Sequence, residues 1–102
     1  MRVIKPGRIH EFGTEYPDAK PMLQRWLELA SCAYWKSWTD VRKTFRDADQ
    51  VTVESGRKVV VFNIRGNHYR LIVAIHYNMR KVFVLRFLTH ADYNKNKWKG
   101  EL

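Results

Sequence analysis

The sequence predicts an α+β fold of two layers, in which an N-terminal strand and helices pack on an antiparallel sheet. Apolar residues of the first half recur at helical spacing, whereas the second half alternates strand-forming apolar and polar residues and ends in a helix-start signature. The 102 residues, 45% of them hydrophobic, suffice for one core but not for two. We therefore expect residues 1–102 to form a single domain with a short C-terminal helix.

The first half is predicted to contain one short strand and three helices. The strand is Arg2–Ile4, and Pro17 ends the first helix. Asp18 is the expected N-cap of the second helix, which has Pro21 in its first turn, and Thr39-Asp40 starts the third. The apolar stripe of the second helix consists of Leu23, Trp26, Leu27, Ala30, Ala33 and Tyr34.

A β-hairpin is predicted around Gly66-Asn67, because two-residue turns need positive φ and both residues tolerate it. This turn places Asn63 opposite Arg70 and Val61 opposite Ile72, so each pair shares a sheet face. One face is then the core face, formed by Val60, Phe62, Ile64, Leu71, Val73 and Ile75. The other face carries the polar residues Asn63, Arg65, His68, Arg70 and His76.

The next strand runs from Val82 to Leu88 and is expected to direct Phe83, Leu85 and Phe87 to the core face. Arg86 then lies on the polar face beside Arg70. This arrangement requires a connection of odd length or a β-bulge, since an even loop reverses the parity of the strand. Two guanidiniums on neighbouring strands suit a phosphate, with which each forms bidentate, charge-assisted hydrogen bonds.

A short helix is predicted after this strand, because Thr89 followed three residues later by Asp92 resembles a capping box. His90 and Tyr93 are then three residues apart on one face of the first turn. An imidazole and a phenol delivered beside two arginines can serve acid–base chemistry. The basic tail Lys95–Lys99 is expected to be mobile unless a partner orders it.

The positive charge is concentrated in the part of the chain that contains the sheet. Residues 1–58 carry 11 Lys and Arg against 8 Asp and Glu, whereas residues 59–102 carry 8 against 2. Such a patch favours a polyanion, most often nucleic acid, through phosphate contacts and counterion release. A solvated basic surface that aids solubility fits the same charge equally well.

Several other classes of site and protein find no support in the sequence. The single cysteine, Cys32, cannot form an internal disulfide and fits a reducing compartment. The four histidines and the cysteine show no zinc-ligand spacing, and no nucleophile motif or P-loop occurs, so no metal or cofactor is expected. No signal peptide or membrane-length apolar run is present, and the expected location is the cytoplasm.

The residues gathered on the polar face meet the requirements of RNA cleavage by a neighbouring 2′-hydroxyl. That reaction needs a base, charge stabilisation at the phosphate and an acid for the leaving 5′-oxygen, and it needs no metal. The candidate catalytic residues are Arg70, Arg86, His90 and Tyr93. His90 is favoured over Tyr93 for proton transfer, because imidazole ordinarily titrates near neutral pH.

Two segments carry a resemblance to a known family. FNIRGNHYRLIVAIHY (Phe62–Tyr77) and RFLTHADY (Arg86–Tyr93) resemble the HigB-type toxins of bacterial toxin–antitoxin modules, within the RelE-like mRNA-cleaving toxins. Length, basicity and element order agree along essentially the whole chain. The resemblance implies a RelE-like fold and an endoribonuclease that cleaves translated mRNA in the A site of the small ribosomal subunit.

The resemblance also implies partners and residue roles. A HigA-type helix-turn-helix antitoxin would neutralise the toxin, and operator DNA would be bound only through that antitoxin. The family's strand arginine in Tyr-Arg-Leu maps onto Arg70, a later strand-end arginine onto Arg86, the terminal-helix aromatic onto Tyr93, and the nearby histidine onto His90. The residues expected to grip flanking phosphates or ribosomal RNA are Asn63, Arg65, His68, Arg80, Lys81 and Lys95.

The chain departs from the RelE pattern on the first strand of the hairpin, where RelE-type proteins carry lysines. Here those positions are Val61 and Asn63, so the general base is one of Lys81, Lys95 or His90. Two other functions remain open from the residues. A ParE-like gyrase poison would have no use for His90, and a basic RNA-binding module without activity would need only Lys and Arg on the sheet.

Overall fold

A computed structural model describes all residues, 1–102, and has the predicted α+β architecture. The five strands are β1 (Arg2–Ile4), β2 (Asp49–Thr52), β3 (Lys58–Ile64), β4 (Tyr69–His76) and β5 (Lys81–Thr89). The helices are α1 (Gly7–Glu15), α2 (Lys20–Cys32), α3 (Trp38–Thr44), α4 (His90–Asn94) and α5 (Trp98–Glu101). None of them is long and apolar enough to cross a membrane.

The strands form one sheet in the order β1-β5-β4-β3-β2. Strand β1 is parallel to β5, and all other neighbours are antiparallel. Strand β2, with the short sequence Asp-Gln-Val-Thr, was not predicted and forms the edge opposite β1. Strands β5, β4 and β3 therefore lie in the interior of the sheet, and α4 begins at the end of the sheet where β4 starts and β5 finishes.

The predicted hairpin register is confirmed, although the predicted turn is wrong. Asn63 pairs with Arg70, as expected, but the last ladder pair is Ile64 with Tyr69. The left-handed φ angles are those of Arg65 (53°) and Gly66 (61°) rather than those of Gly66 and Asn67. The loop from Arg65 to His68 is closed by the His68 amide, which donates to the Arg65 carbonyl over 3.2 Å.

The main core lies between the sheet and the first three helices. Trp26 from α2 and Phe62 from β3 are each 2% exposed and meet edge-to-face with their centroids 5.4 Å apart. The strand residues on this face include those predicted for the hairpin. They are Val60, Phe62, Ile64, Leu71 and Val73, with Ile75 partly buried beside them.

A β-bulge in β5 changes which of its residues face this core. Ile72 pairs with Arg86, whereas the next residue of β4, Val73, pairs with Val84, so Leu85 is the additional residue. Before the bulge the parity is reversed, and the core residues are Val82 and Val84. The assignment of Phe83 and Leu85 to the core face was therefore wrong, whereas that of Phe87 is confirmed.

The carbonyl groups at the bulge are bound by Arg8 of α1. Its Nη1 donates to the Val84 carbonyl over 2.6 Å and its Nη2 to the Leu85 carbonyl over 3.2 Å. The guanidinium also lies 5.5 Å from the ring centroid of Phe12. Because a bulge removes ladder partners, a charged side chain from α1 replaces hydrogen bonds that the strand itself has lost.

Replacing Arg8 by methionine is expected to lower the free energy of unfolding by about 1.5–3 kcal/mol, the usual contribution of a hydrogen bond from a charged group. Methionine keeps an unbranched apolar side chain but cannot donate to the two carbonyls. Urea unfolding measures the effect. The matched control is Arg25→Met, because Arg25 is exposed and only pairs with Glu28 at 3.8 Å. Equal stability of the two variants would contradict the role assigned to Arg8.

Helix α5 covers part of the other face of the sheet and forms a second, smaller core. Trp98 is 2% exposed and packs with Val53, Val59, Val61 and Ile72. The backbone also holds this segment, since the Glu54 amide donates to the Lys99 carbonyl over 3.1 Å. The expectation of a mobile tail was therefore wrong, because Trp98 finds apolar residues that the strand pattern leaves exposed.

Asp18 does not cap α2, contrary to the prediction, since the N-cap is Ala19 without a side-chain hydrogen bond. The Asp18 carboxylate instead accepts from the Tyr69 hydroxyl over 2.8 Å and from Arg65 Nη1 over 3.0 Å. The hydrogen bond to Asp18 raises the pKa of Tyr69, with burial as the second cause. Asp18 therefore ties the start of α2 to the β3–β4 hairpin.

Candidate active site

Arg70 occupies the centre of the candidate site. It is the only charged residue of the protein that is buried, with 9% of its surface exposed. It projects from β4 onto the face opposite the main core. Its Nη1 donates to the Tyr69 carbonyl over 3.1 Å, and its Nη2 donates to Asn67 Oδ1 over 3.3 Å. None of the ion pairs in the structure includes Arg70.

His90 reaches Arg70 because the start of α4 is fixed on two sides. The predicted cap is confirmed, since Thr89 Oγ1 accepts from the Asp92 amide over 3.2 Å. The His90 amide donates to the His68 carbonyl of the hairpin loop over 3.0 Å. These backbone contacts place the exposed His90 ring with its Nδ1 atom 3.3 Å from Arg70 Nη2.

The contact with Arg70 fixes the tautomer of a neutral His90 ring. A guanidinium only donates, so Nδ1 has to accept, and the single ring proton is then at Nε2. Nε2 lies 3.1 Å from Asn94 Nδ2, one turn further along α4. A 180° rotation of the Asn94 amide exchanges Nδ2 for Oδ1, which can accept the Nε2 proton. His90 thus contacts Arg70 through one ring nitrogen and Asn94 through the other.

Tyr93 provides the aromatic wall of the site. Its ring centroid lies 5.5 Å from the Arg70 guanidinium and 5.2 Å from the Trp98 ring, which is stacked on it with an interplanar angle of 20°. Burial raises the pKa of Tyr93, and the Asp49 charge raises it further against the opposing effect of Arg70. The phenol therefore remains protonated at neutral pH.

Arg86 lies on the same sheet face as Arg70, as predicted, since it pairs with Ile72 two residues further along β4. It makes no hydrogen bond to Arg70, His90 or Tyr93. Its Nη1 donates to the Leu85 carbonyl over 2.8 Å, and its Nε lies 3.9 Å from a carboxylate oxygen of Glu101 in α5. The structure therefore brings Arg70, His90 and Tyr93 together, whereas Arg86 lies beside them and is paired with Glu101.

Some of the predicted RNA-binding residues lie near Arg70 and His90, and the others lie far from them. Asn63 is exposed and directly opposite Arg70, and the His68 carbonyl binds the His90 amide. Lys95 follows α4 and lies 3.6 Å from Asp92. Asn63 and His68 therefore lie next to the site and Lys95 lies at the end of α4, and their binding of RNA stays a prediction.

Arg65, Arg80 and Lys81 do not belong to this cluster. The Arg65 side chain turns to Asp18 of the helical layer. Arg80 immediately precedes β5 and Lys81 is its first residue, whereas His90 follows the other end of the strand. The two ends of β5 are about 26 Å apart, at about 3.3 Å per residue. Arg80 there stacks on Tyr34 with its guanidinium 4.3 Å from the ring centroid.

Asn67, Asn94 and Trp98 contact the site but were not predicted. Asn94 follows His90 by four residues, so helical spacing alone was a usable signal. Asn67 was interpreted only as a turn residue. The Trp98 indole donates to the Tyr93 carbonyl over 3.0 Å, a contact between tail and helix that no sequence pattern indicates.

The arrangement can stabilise an anion and move a proton within one small site. Arg70 offers a guanidinium that no carboxylate neutralises, and His90 offers an imidazole in contact with it. Histidine, cysteine and acidic side chains form no group of three or more that could hold a metal ion. An unpaired guanidinium beside an imidazole suits charge stabilisation and proton transfer at a phosphate.

Comparison with known proteins gives a family and several relatives. Residues 19–96 match the family model of HigB_toxin, the RelE-like toxic component of a toxin–antitoxin system. The mRNA interferase toxin HigB of Escherichia coli K12 is 22% identical over 94 residues, which cover 92% of this chain and 88% of that protein. The mRNA interferase HigB proteins of Escherichia coli O157:H7 and Shigella flexneri match with the same identity and coverage.

Proposed function

This chain belongs to the HigB toxin family, the RelE-like toxic components of toxin–antitoxin systems, and on that premise we propose that it is an endoribonuclease that cleaves translated mRNA. The proposed active site consists of Arg70, His90 and Tyr93, with Arg86 beside them. The reaction is attack of a 2′-hydroxyl on the adjacent phosphate, driven by side chains without a metal.

The uncompensated charge of Arg70 is the observation that carries this proposal. A buried cation is costly unless it is paired, and Arg70 has only neutral hydrogen-bond acceptors around it. A phosphate would supply the missing negative charge and accept two parallel hydrogen bonds from the guanidinium. Arg70 is thus ready for an anion that the protein itself does not provide.

Binding of a phosphate would also release His90. The Nη2 group that now donates to His90 Nδ1 would turn to the phosphate oxygens, leaving the Nδ1 lone pair free. His90 then accepts the proton of the 2′-hydroxyl, the 2′-oxygen bonds to phosphorus, and the bond from phosphorus to the 5′-oxygen breaks. The 5′-oxygen takes a proton from the imidazolium, and the products are a cyclic phosphate and a 5′-hydroxyl.

Tyr93 and Arg86 have supporting roles in this reaction. Tyr93 is a protonated phenol that holds Arg70 in place and offers a surface on which a base can stack. The pair between Arg86 and Glu101 is partly exposed, with 38% and 60% of the side chains accessible, so it stabilises little. A second phosphate would compete with Glu101 for Arg86 and add to the charge stabilisation at the site.

The proposed setting is the cytoplasm, where the protein would act in the A site of the small ribosomal subunit. The family implies an antitoxin partner, and we take this to be a HigA-type helix-turn-helix protein that alone connects the toxin to operator DNA. The positive excess of residues 59–102 supports an RNA target, since 8 Lys and Arg there face 2 acids.

His90→Gln tests the proposal in a reconstituted translation system that contains an mRNA with a labelled 5′ end. Glutamine keeps an acceptor for Arg70 but cannot take up a proton, so the cleavage rate is expected to fall by about 10²–10⁴-fold. The matched control is His10→Gln, because His10 is exposed on α1. Cleavage by His90→Gln at the rate of the unsubstituted protein would refute the assignment, and arrest of translation without cleavage would favour a toxin that is not a nuclease.

A further inference from the structure

The helical layer carries a basic depression that the proposed active site does not use. Its volume is about 570 Å³, and it is lined by Trp38, Thr39, Arg42, Lys43 and Arg46. Arg42 and Lys43 are exposed on α3, and Arg46 is exposed in the turn that follows the helix. The Arg42 guanidinium lies 5.8 Å from the Trp38 ring centroid, so the depression combines cations with an aromatic surface.

A second depression connects this basic surface to the active site. It has a volume of about 240 Å³ and shares Arg46 with the first, and its far wall includes Asn63 of β3. Asn63 is the direct neighbour of Arg70 in the sheet. Arg46, Asn63 and Arg70 therefore follow one another from the helical layer to the site.

The sheet edge is open where this path crosses it. Strand β2 covers β3 only from Lys58 to Val61, so Phe62, Asn63 and Ile64 have a ladder partner on β4 alone. An extended single strand of nucleic acid can pass this edge without displacing a hydrogen-bonded β-strand. Neighbouring strands are about 4.8 Å apart, so one nucleotide spans the step from Arg70 to the edge.

We propose that the path from Arg70 over Asn63 and Arg46 to Arg42 is a binding site for the single-stranded RNA that flanks the scissile phosphate. The inference rests on the proposed function, because the strand enters the path from the phosphate held by Arg70. Arg42 and Arg46 contact backbone phosphates, and Trp38 offers a face for a base. Three acids lie along the path: Asp40 at 4.0 Å from Lys43, Asp47 in the second depression and Asp49 at the end of β2 beside the open edge. Because Lys43 is paired with Asp40, Arg42 and Arg46 provide the positive charge of the site.

The length dependence of RNA binding tests this path without any need for cleavage. Fluorescence anisotropy is measured with a labelled 4-nucleotide and a labelled 12-nucleotide single-stranded RNA. The proteins compared are His90→Gln alone and His90→Gln combined with Arg42→Ala and Arg46→Ala. The charge-matched control adds Arg25→Ala and Arg57→Ala instead, because both arginines are exposed and neither lines the path.

The expected result is a selective loss with the longer RNA. Two lost phosphate contacts lower the salt slope of binding by about 1.4, since each contact to a single strand contributes about 0.7. Raising the salt from about 50 to about 200 mM weakens binding of the 12-nucleotide RNA to both proteins. For the variant with Arg42→Ala and Arg46→Ala (the path variant), the factor of weakening should be about sevenfold smaller than for its parent, His90→Gln alone. Binding of the 4-nucleotide RNA should be unchanged.

Two outcomes would overturn the proposal. Equal affinity and salt slope of parent and path variant for the 12-nucleotide RNA would show that the strand does not follow this surface. A loss of ribosome binding with unchanged binding of the 12-nucleotide RNA would assign the surface to ribosomal RNA instead. Neither outcome depends on cleavage, so a failure of the path is distinguishable from a failure of the proposed nuclease.

Discussion

Arg70→Ala should reduce the rate of mRNA cleavage by a hundredfold or more. A preorganised donor aimed at developing negative charge typically contributes about 2.7–4 kcal/mol to the barrier, and Arg70 is the guanidinium in contact with both His90 and Tyr93. The variant should remain folded, because the side chain makes no ion pair and its hydrogen-bond partners are neutral. Single-turnover cleavage with the ribosome in excess measures the chemical step directly.

Arg70→Lys separates charge from geometry at the same position. Lysine keeps the positive charge but loses the planar fork that binds two phosphate oxygens, so an intermediate rate is expected. Arg25→Ala is the matched control, since Arg25 is exposed on α2 and pairs only with Glu28 at 3.8 Å. Cleavage by folded Arg70→Ala at the unsubstituted rate would contradict the role of Arg70.

Trp98→Ala should produce the largest loss of stability, about 3–5 kcal/mol, which is the usual cost of removing a buried tryptophan side chain. Trp98 is 2% exposed, stacks on Tyr93 and donates to the Tyr93 carbonyl over 3.0 Å. Domains of this size are stable by only about 5–15 kcal/mol, so the loss is a large part of the total. Equilibrium unfolding in urea, followed by circular dichroism, provides the measurement.

Tyr34→Ala is the control for Trp98→Ala, because Tyr34 is also a large aromatic residue but is 53% exposed. Trp98→Phe should restore most of the stability while still lacking the hydrogen bond to the Tyr93 carbonyl. If Trp98→Ala is no less stable than Tyr34→Ala, α5 does not form the second core described above.

The register of the hairpin could be predicted because the period of two along a strand and a Gly-Asn signal are local properties. They placed Asn63 beside Arg70 and assigned the core face of β3 and β4. The other elements were predictable from equally local patterns, except β2 and α5. The cap at Thr89 was equally local, and it fixed where His90 and Tyr93 begin their helix.

The remaining features depend on contacts between distant parts of the chain. The bulge at Leu85 is stabilised by Arg8, which is 77 residues away in the sequence, and no strand pattern indicates that donor. No sequence pattern indicates the pair of Glu101 with Arg86 either. Glu101 belongs to α5, where composition alone predicts only a basic tail. Sequence reasoning found the residue types of the site but not their partners.

Mapping of mRNA 5′ ends in bacteria that express the protein tests the central claim most directly. The unsubstituted protein is compared with Arg70→Ala and His90→Gln, each at matched protein levels. If the protein is a ribosome-dependent ribonuclease that uses Arg70 and His90, new 5′ ends should be confined to translated reading frames and should be absent with both variants. Growth arrest without new 5′ ends, or the same ends with either variant, would contradict it.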